Sequence, residues 1–360
     1  MTEQLKLKLN DSKATRWGAL VIVAFTMMAA YYVNDVVAPL KTMLETDLAW
    51  SSTDFGFFTG GYSFLNVFFL MLIWGGLILD RFGIRFTGKL ATILMVGGTA
   101  LEYYAMTGLA GADATLFGIN EIFGYKTGVF VAFAGYSIFG VGAEVAGITV
   151  SKIIAKWFKG KELATAMGVQ VALARIGSQA GYAVAIPLAR AFGISTPVLL
   201  GLVLLLGGMI AFFVFAVMDK KLDKQMEAAA IAAGTEDEEE KFSFKDVKNI
   251  LVNPGFWLIA LLCVLFYSCV FPFQKFASEL MIIKYGINEN VAGTFAGLPA
   301  LGALILTPVF GGFIDKRGKS ASIMLLGSAM LICVHFIYAI PDINYWLVAI
   351  VLMIILGIAF

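Results

Sequence analysis

The sequence predicts an all-α membrane protein made of two related helical halves, and three observations carry the prediction. Of 360 residues, 60% are hydrophobic and only 14% are charged, at a mean hydropathy of +0.86, whereas soluble domains run about 45–50% apolar and about 25% charged. Apolar runs close to the roughly 20 residues that a bilayer-crossing helix needs recur along the whole chain. One polar punctuation appears twice at the end of such a run: Gly76, Asp80, Arg81, Gly83 and Arg85 in the first copy, and Gly311, Asp315, Lys316 and Gly318 in the second. Repeated helical halves with weak self-similarity are a common build for secondary transporters.

The elements follow in order. A polar tail over 1–15 has no apolar leader, so the first span is expected to act as its own insertion signal. Spans are expected at 17–40, 55–79, 86–108, 127–157, 163–190 and 196–218, forming a first six-helix bundle over 16–218. A charged segment at 219–254 reads as a linker: the acidic run from Glu236 to Glu240 repels itself and stays hydrated, and Ser243, Phe244, Asp246, Val247 and Leu251 have the spacing of a capped amphipathic helix lying on the membrane surface. Spans at 256–283, 291–314 and 320–340 and a tenth beginning at Tyr345 make up an incomplete second bundle over 255–360, of about four helices. The tenth run is still apolar at Phe360, so two further helices are expected beyond it.

Charge placement sets orientation and excludes some functions. Most of the 26 lysines and arginines fall in the tail, the linker and the loops after spans two, four and eight, so these belong on the cytoplasmic side by the positive-inside rule. A net charge of +1 gives no reason to expect a nucleic-acid partner, and no phosphate loop, metal-ligand spacing or catalytic set is present, so neither cofactor, metal nor enzymatic activity is expected. The three cysteines, Cys263, Cys269 and Cys333, read as small apolar residues within spans.

The strongest functional signal is a pair of opposite charges in adjacent spans, Glu144 and Arg175. Taking Gly160 as the turn between them, both lie about 22–24 Å along their helices at ~1.5 Å rise per residue, so they share a depth. A structural salt bridge is the plain alternative. Ionisable residues in spans more often face a solute route, and a carboxylate with a guanidinium suits a zwitterion's ammonium and carboxylate. In span one, Tyr31, Tyr32, Asn34 and Asp35 put hydroxyl, amide and carboxylate groups ahead of Pro39, either along a solute path or as an interfacial belt. Span seven carries Gln274, Lys275 and Glu279, and the i,i+4 spacing of the last two predicts a local ion pair. Glu102 and the single histidine, His335, are weaker candidates, with hydrogen-bonded packing the plainer role for the histidine. Asp80 and Arg81 stand at a cytoplasmic helix end, where contacts made in only one arrangement of the halves would act as a latch.

The repeated punctuation resembles the loops between helices two and three, and eight and nine, of the major facilitator superfamily, with Ile84 where arginine is common and Lys316 for arginine. The stretches Tyr31 to Leu40, Trp157 to Leu163, Arg175 to Ser178, Val270 to Phe273 and Thr307 to Lys319 resemble one branch of it, a group of lysosomal dipeptide transporters. The resemblance implies two pseudo-symmetric six-helix bundles with about ten helices present in this chain, alternating access, a short peptide or amino acid as substrate, and Glu144 near its amino group with Arg175 near its carboxylate. It assigns the latch for the outward-facing state to the repeated loops. A monomer surrounded by lipid is expected, in a bacterial inner membrane, since no lysosomal sorting signal is read in the tail. Two alternatives stay open: a proton-coupled organic-anion symporter using Arg175 for the anion and Glu144 or Asp35 for the proton, and a receptor or scaffold with a vestigial transport fold.

Overall fold

The computed structural model describes residues 8–111, 114–233, 250–306 and 320–359. The chain folds as helices α1 (Lys13–Val36), α2 (Lys41–Asp47), α3 (Ser52–Phe68), α4 (Met71–Thr107), α5 (Thr127–Trp157), α6 (Leu163–Phe192), α7 (Thr196–Ala233), α8 (Pro254–Ile283), α9 (Glu289–Ala296), α10 (Ser320–Ala339) and α11 (Trp346–Ala359). Each expected apolar run is helical where described, and helix continues after α9 through residue 306. Among the described residues, six helices are long and apolar enough to cross a membrane, or seven if the bent pair α3 and α4 counts as one span.

Local chemistry sets the helix ends. Ser12 caps α1 through the Thr15 amide, and Ser51 with Asp54 forms a reciprocal capping box at the start of α3. Asn253 caps α8 ahead of Pro254 at its first position, and Asn288 caps α9. The expected break at 80–85 is present: α4 is two helices meeting at a kink where Gly83 takes φ 75 and ψ 173, a conformation closed to a side chain. A second break lies at Phe69 and Leu70, where the axes of α3 and α4 bend by 58°. The polar stretch after α4 holds a two-stranded hairpin, β1 (Glu121–Ile122) and β2 (Tyr125–Lys126), that the apolar pattern does not show.

Where the linker is expected to start at Asp219, α7 instead continues to Ala233. The acidic run and the expected surface helix at Ser243 to Asp246 lie outside the described residues.

Helices α1 and α3 to α7 pack as the N-half around a core that includes Val33, Phe58, Tyr136, Phe139, Ile154 and Phe215, all at most 1% exposed. The packing of α4 on α5 is the most extensive, followed by α1 on α6. A smaller core of Val270, Met281, Val334 and Met353 organises the C-half. The first residues of α1 and the last of α5 mark one end of the molecule, here the tail face; α2 and the hairpin mark the opposite, outer face.

Candidate functional site

A cavity of about 590 Å³ lies between α1, α3 and α5 of the N-half and α8 of the C-half, with Tyr31, Asn34, Tyr62, Glu144 and Lys275 in its wall. Small residues at Gly56 and Gly60 keep α3 from filling it, and Pro272 lies within α8 beside it. Tyr62 donates its hydroxyl hydrogen to Glu144 Oε1 at 2.8 Å, which fixes the carboxylate at the wall. Arg175 places its guanidinium 5.9 Å from the centre of the Tyr31 ring, within reach of a cation–π attraction. The Tyr31 hydroxyl feels the charges of Arg175, Glu144 and Asp35 together. The two charges singled out in the sequence therefore flank one aromatic ring that faces the cavity.

Above the cavity, toward the outer face, Lys275 crosses from the C-half into the N-half. Its ammonium donates to the Asn34 carbonyl at 2.6 Å and to the Tyr136 hydroxyl at 3.1 Å, and pairs with Asp35 at 3.7 Å. Tyr136 in turn donates to the same Asn34 carbonyl at 2.7 Å, and the Asn34 amide donates to Asp35 at 2.8 Å. The expected local pair of Lys275 with Glu279 is not how these residues bond. Glu279 accepts instead from Lys41 at 2.5 Å, because the end of α8 docks against the turn between α1 and α2 and offers each charge a partner from the other half.

Two expected cavity residues face elsewhere. Tyr32 is buried and donates to the Pro197 carbonyl at the start of α7, so the one-residue step from Tyr31 turns it into the packing between α1 and α7. Gln274 contributes its main-chain carbonyl, which accepts from Tyr182 at 3.1 Å, and does not line the cavity. Conversely, the composition of spans two and four hides Tyr62 and Tyr136 among glycines and phenylalanines; a tyrosine amid small residues is the only signal that could have found them.

More contacts between the halves gather at the outer face. Lys41, 2% exposed, also donates to Glu45 and Ser52 at 2.8 Å. Arg190 pairs with Glu289 and donates to Asn290, Gln179 donates to the Thr294 carbonyl at 3.3 Å, and Phe55 meets Phe276 edge to face.

Among the described residues, the polar contacts at the tail face stay inside the N-half. Arg16 holds Glu162 with two nitrogens, and Lys161 holds Asp11 at 2.8 Å. The Asp11 carboxyl is kept below its usual value by that lysine bond, and the Glu162 carboxyl by its own main-chain amide and then Arg16. Of the first repeated loop, Asp80 pairs with Lys152 of α5 at 2.9 Å, Arg85 pairs with Asp223 at 2.7 Å and lies 3.6 Å from buried Asp219 on α7, and Arg81 lies over Phe82. Gly76 has open space beside it. In this conformation the loop therefore ties helices of its own half together. Gly311, Asp315, Lys316 and Gly318 of the second copy lie outside the described residues. His335 sets its two ring nitrogens 3.0 and 3.1 Å from the carbonyls of Leu331 and Cys269, one of which takes the ring N–H, a packing role between helices.

Two helical halves joined at one face, with a charged cavity beneath the junction, define a membrane carrier that exposes its cavity to one side at a time. The chain belongs to the Major Facilitator Superfamily, whose family model matches residues 19–360.

Among relatives, the lysosomal dipeptide transporter MFSD1 of Homo sapiens is 27% identical over 348 residues, covering 93% of this chain and 68% of that protein. The protein of the same name from Gallus gallus is 30% identical over 239 residues, covering 63% of this chain and 51% of the relative. Among solved structures, a D-xylose-proton symporter aligns with a TM-score of 0.63 at 16% identity, over 95% of this chain and 80% of its own. A bacterial homologue of the human drug peptide transporters PepT1 and PepT2 aligns at 0.63 and 13%, over 96% and 81%. These last two establish the fold alone. The chain is thus an integral, multi-pass membrane transporter.

Proposed function

We propose that this chain carries a small zwitterionic solute, a dipeptide by best reading, across the membrane by rocking its two halves about the cavity. The observation that supports this most is the disposition of charge around one aromatic wall: Glu144 lines the cavity, Arg175 lies over Tyr31, and Lys275 reaches in from the other half. A carboxylate on one side and two bases on the other match a molecule with an ammonium at one end and a carboxylate at the other. A cavity of about 590 Å³ is within the roughly 300–1,000 Å³ range of small-molecule sites. The named relatives are dipeptide transporters, which favours a short peptide over a sugar.

The substrate ammonium is assigned to Glu144 and its carboxylate to Arg175, with Lys275 and Asp35 as the cross-half pair that closes over it. Asn34 and Tyr31 supply the remaining polar wall. Of the earlier candidates, Tyr32 and Gln274 are left out for the reasons given by their contacts. The tail face, rich in lysine and arginine, is read as cytoplasmic, and the contacts between the halves at the outer face support reading this as an inward-facing arrangement. The membrane is read as a bacterial inner membrane, which localisation of a tagged chain tests against the lysosome of the named relatives.

The test is a thermal-shift screen of dipeptides, amino acids and organic acids on the purified protein, followed by uptake of the best ligand into liposomes. A ligand at a hundred times its Kd stabilises the folded state by about 2.7 kcal/mol. The shift is expected for a dipeptide and lost in Arg175→Ala and Glu144→Gln. Equal shifts in all three proteins remove the pair from the site, and shifts only with unrelated solutes overturn the substrate class.

A further inference from the structure

Glu102 lies in the outer third of α4, completely buried, and neither of its carboxylate oxygens has a hydrogen-bond partner among the described residues. One turn back, equally buried Thr99 leaves its hydroxyl oxygen without a partner as well. Residues three apart share a helix face, so two adjoining polar side chains project into a sealed interior with no donor to meet them. That stretch of α4 is pressed against α5: a Cβ on Gly135 would meet the Glu102 nitrogen at 2.9 Å, and Tyr136 follows directly.

The charged and titratable groups around this point come from several elements. Lys275 of α8 acts on Glu102, and Glu102 acts on Tyr136 of α5; Asp35 of α1, Tyr62 of α3 and Tyr182 of α6 act on that same tyrosine. Helix α7, which also packs on α4, meets it toward the tail face, through Phe212 at Gly88 and through Asp219 and Asp223 at Arg85. Lys275 is thus the base of the layer, and it already pairs with Asp35. A second ionised acid there would leave one negative charge out of water with neither a counter-ion nor a hydrogen bond to replace its hydration, and a buried group in that position neutralises instead.

We propose that Glu102 is a proton-binding site of the outer layer, filled from the outer side and sealed when the halves close there. When the C-half swings away it takes Lys275 from Asp35 and lets water reach the layer; hydration then supports the ionised carboxylate. On closing, an outer hydronium gives its proton to a Glu102 oxygen, an O–H bond forms, and neutral water leaves. Proton binding and outer closure are therefore linked, each favouring the other to the same degree. The proposal goes beyond the dipeptide reading and does not depend on which solute is carried.

Two measurements on the full chain test it without any solute. Infrared spectra of the purified protein at neutral pH should show a carboxylic-acid carbonyl stretch, sensitive to deuterium exchange, that disappears in Glu102→Gln; identical spectra would show Glu102 ionised and overturn the proposal. Spin labels at Asp47→Cys and Ile283→Cys, with Cys263, Cys269 and Cys333 replaced by serine, report separation of the halves at the outer face. As pH rises, the closed-to-open ratio of the labelled parent should fall by up to about tenfold per pH unit, the limit for one linked proton. Glu102→Gln should remain closed across that range. A pH-independent parent sinks the idea whether or not the variant folds, and a variant with the parent's full pH response places the proton elsewhere. Because no dipeptide is present, failure of the uptake assay and failure of this proposal are separate results.

Discussion

Replacing Glu279 by glutamine should open the outer face, because the bond it accepts from Lys41 is made only when the halves meet. Lys41 is 2% exposed, but it keeps Glu45 and Ser52 at 2.8 Å on its own half, so the substitution leaves no stranded charge. What is lost is one charge-assisted hydrogen bond between halves, at 2.5 Å, to a carboxylate side chain that is 19% exposed. Such bonds contribute about 1.5–3 kcal/mol, and partial exposure of the glutamate argues for the lower end. At about 1.5 kcal/mol the closed-to-open ratio falls roughly tenfold. Double electron–electron resonance between labels at positions 47 and 283, in the cysteine-replaced background, reads that ratio as the weights of a short and a long distance. Glu45→Gln serves as the internal control, since its bond to Lys41 lies within the N-half and survives opening. An unchanged distribution in Glu279→Gln, or an equal shift in Glu45→Gln, would refute the assignment of the cross-half bond as the gate.

Three further outcomes follow from the packing. Asp219→Ala removes a fully buried acceptor for Lys156 at 2.7 Å and for the Trp157 indole at 3.0 Å; thermal unfolding in detergent should register a loss of about 3 kcal/mol, with Asp223 limiting the damage. Gly98→Val should disrupt the contact of α4 on α5, because a Cβ there would meet the Phe139 nitrogen at 2.4 Å and the Gly135 carbonyl at 2.5 Å, both main chain; a cost of about 1–3 kcal/mol or more is expected, read as a lower melting temperature. The tail clamp should loosen in acid. Asp11 and Glu162 are held below their ordinary values of 3.8 and 4.5, so their contribution is complete above those values and disappears as pH falls through the lower folded ones. Amide hydrogen exchange across residues 8–16 should accelerate in that window, and high salt should mimic the effect because the groups are exposed.

Much of the architecture was legible in the sequence because hydropathy and helix punctuation are local properties. Apolar runs predicted the long helices though not the short polar α2, Gly160 predicted the turn between α5 and α6, which takes φ 72, and the repeat predicted paired halves. Polar residues from Asp80 to Arg85 marked the break between two helices, and Gly83 is the residue that carries it. A misreading arose where the same local rule met a longer-range choice. The charge density after Asp219 suggested a linker, yet Asp219 and Asp223 on α7 are the partners that Arg85 and Lys156 require.

The candidate site divides along the same line. Glu144, Arg175, Tyr31, Asn34, Asp35 and Lys275 stood out because polar groups in apolar spans are costly, a fact visible in one dimension. Their pairings were not visible. Lys41 and Glu279 are 238 positions apart, and Lys275 finds the Asn34 carbonyl across 241. The sequence by itself determined that this chain inserts as a helical, two-part carrier, since burying backbone in lipid leaves few other solutions. Only the tertiary structure decided which half supplies the partner for each buried charge, and left the Glu102 carboxyl without a hydrogen bond among the described residues, because partners are chosen by distance in space after the halves have closed on one another.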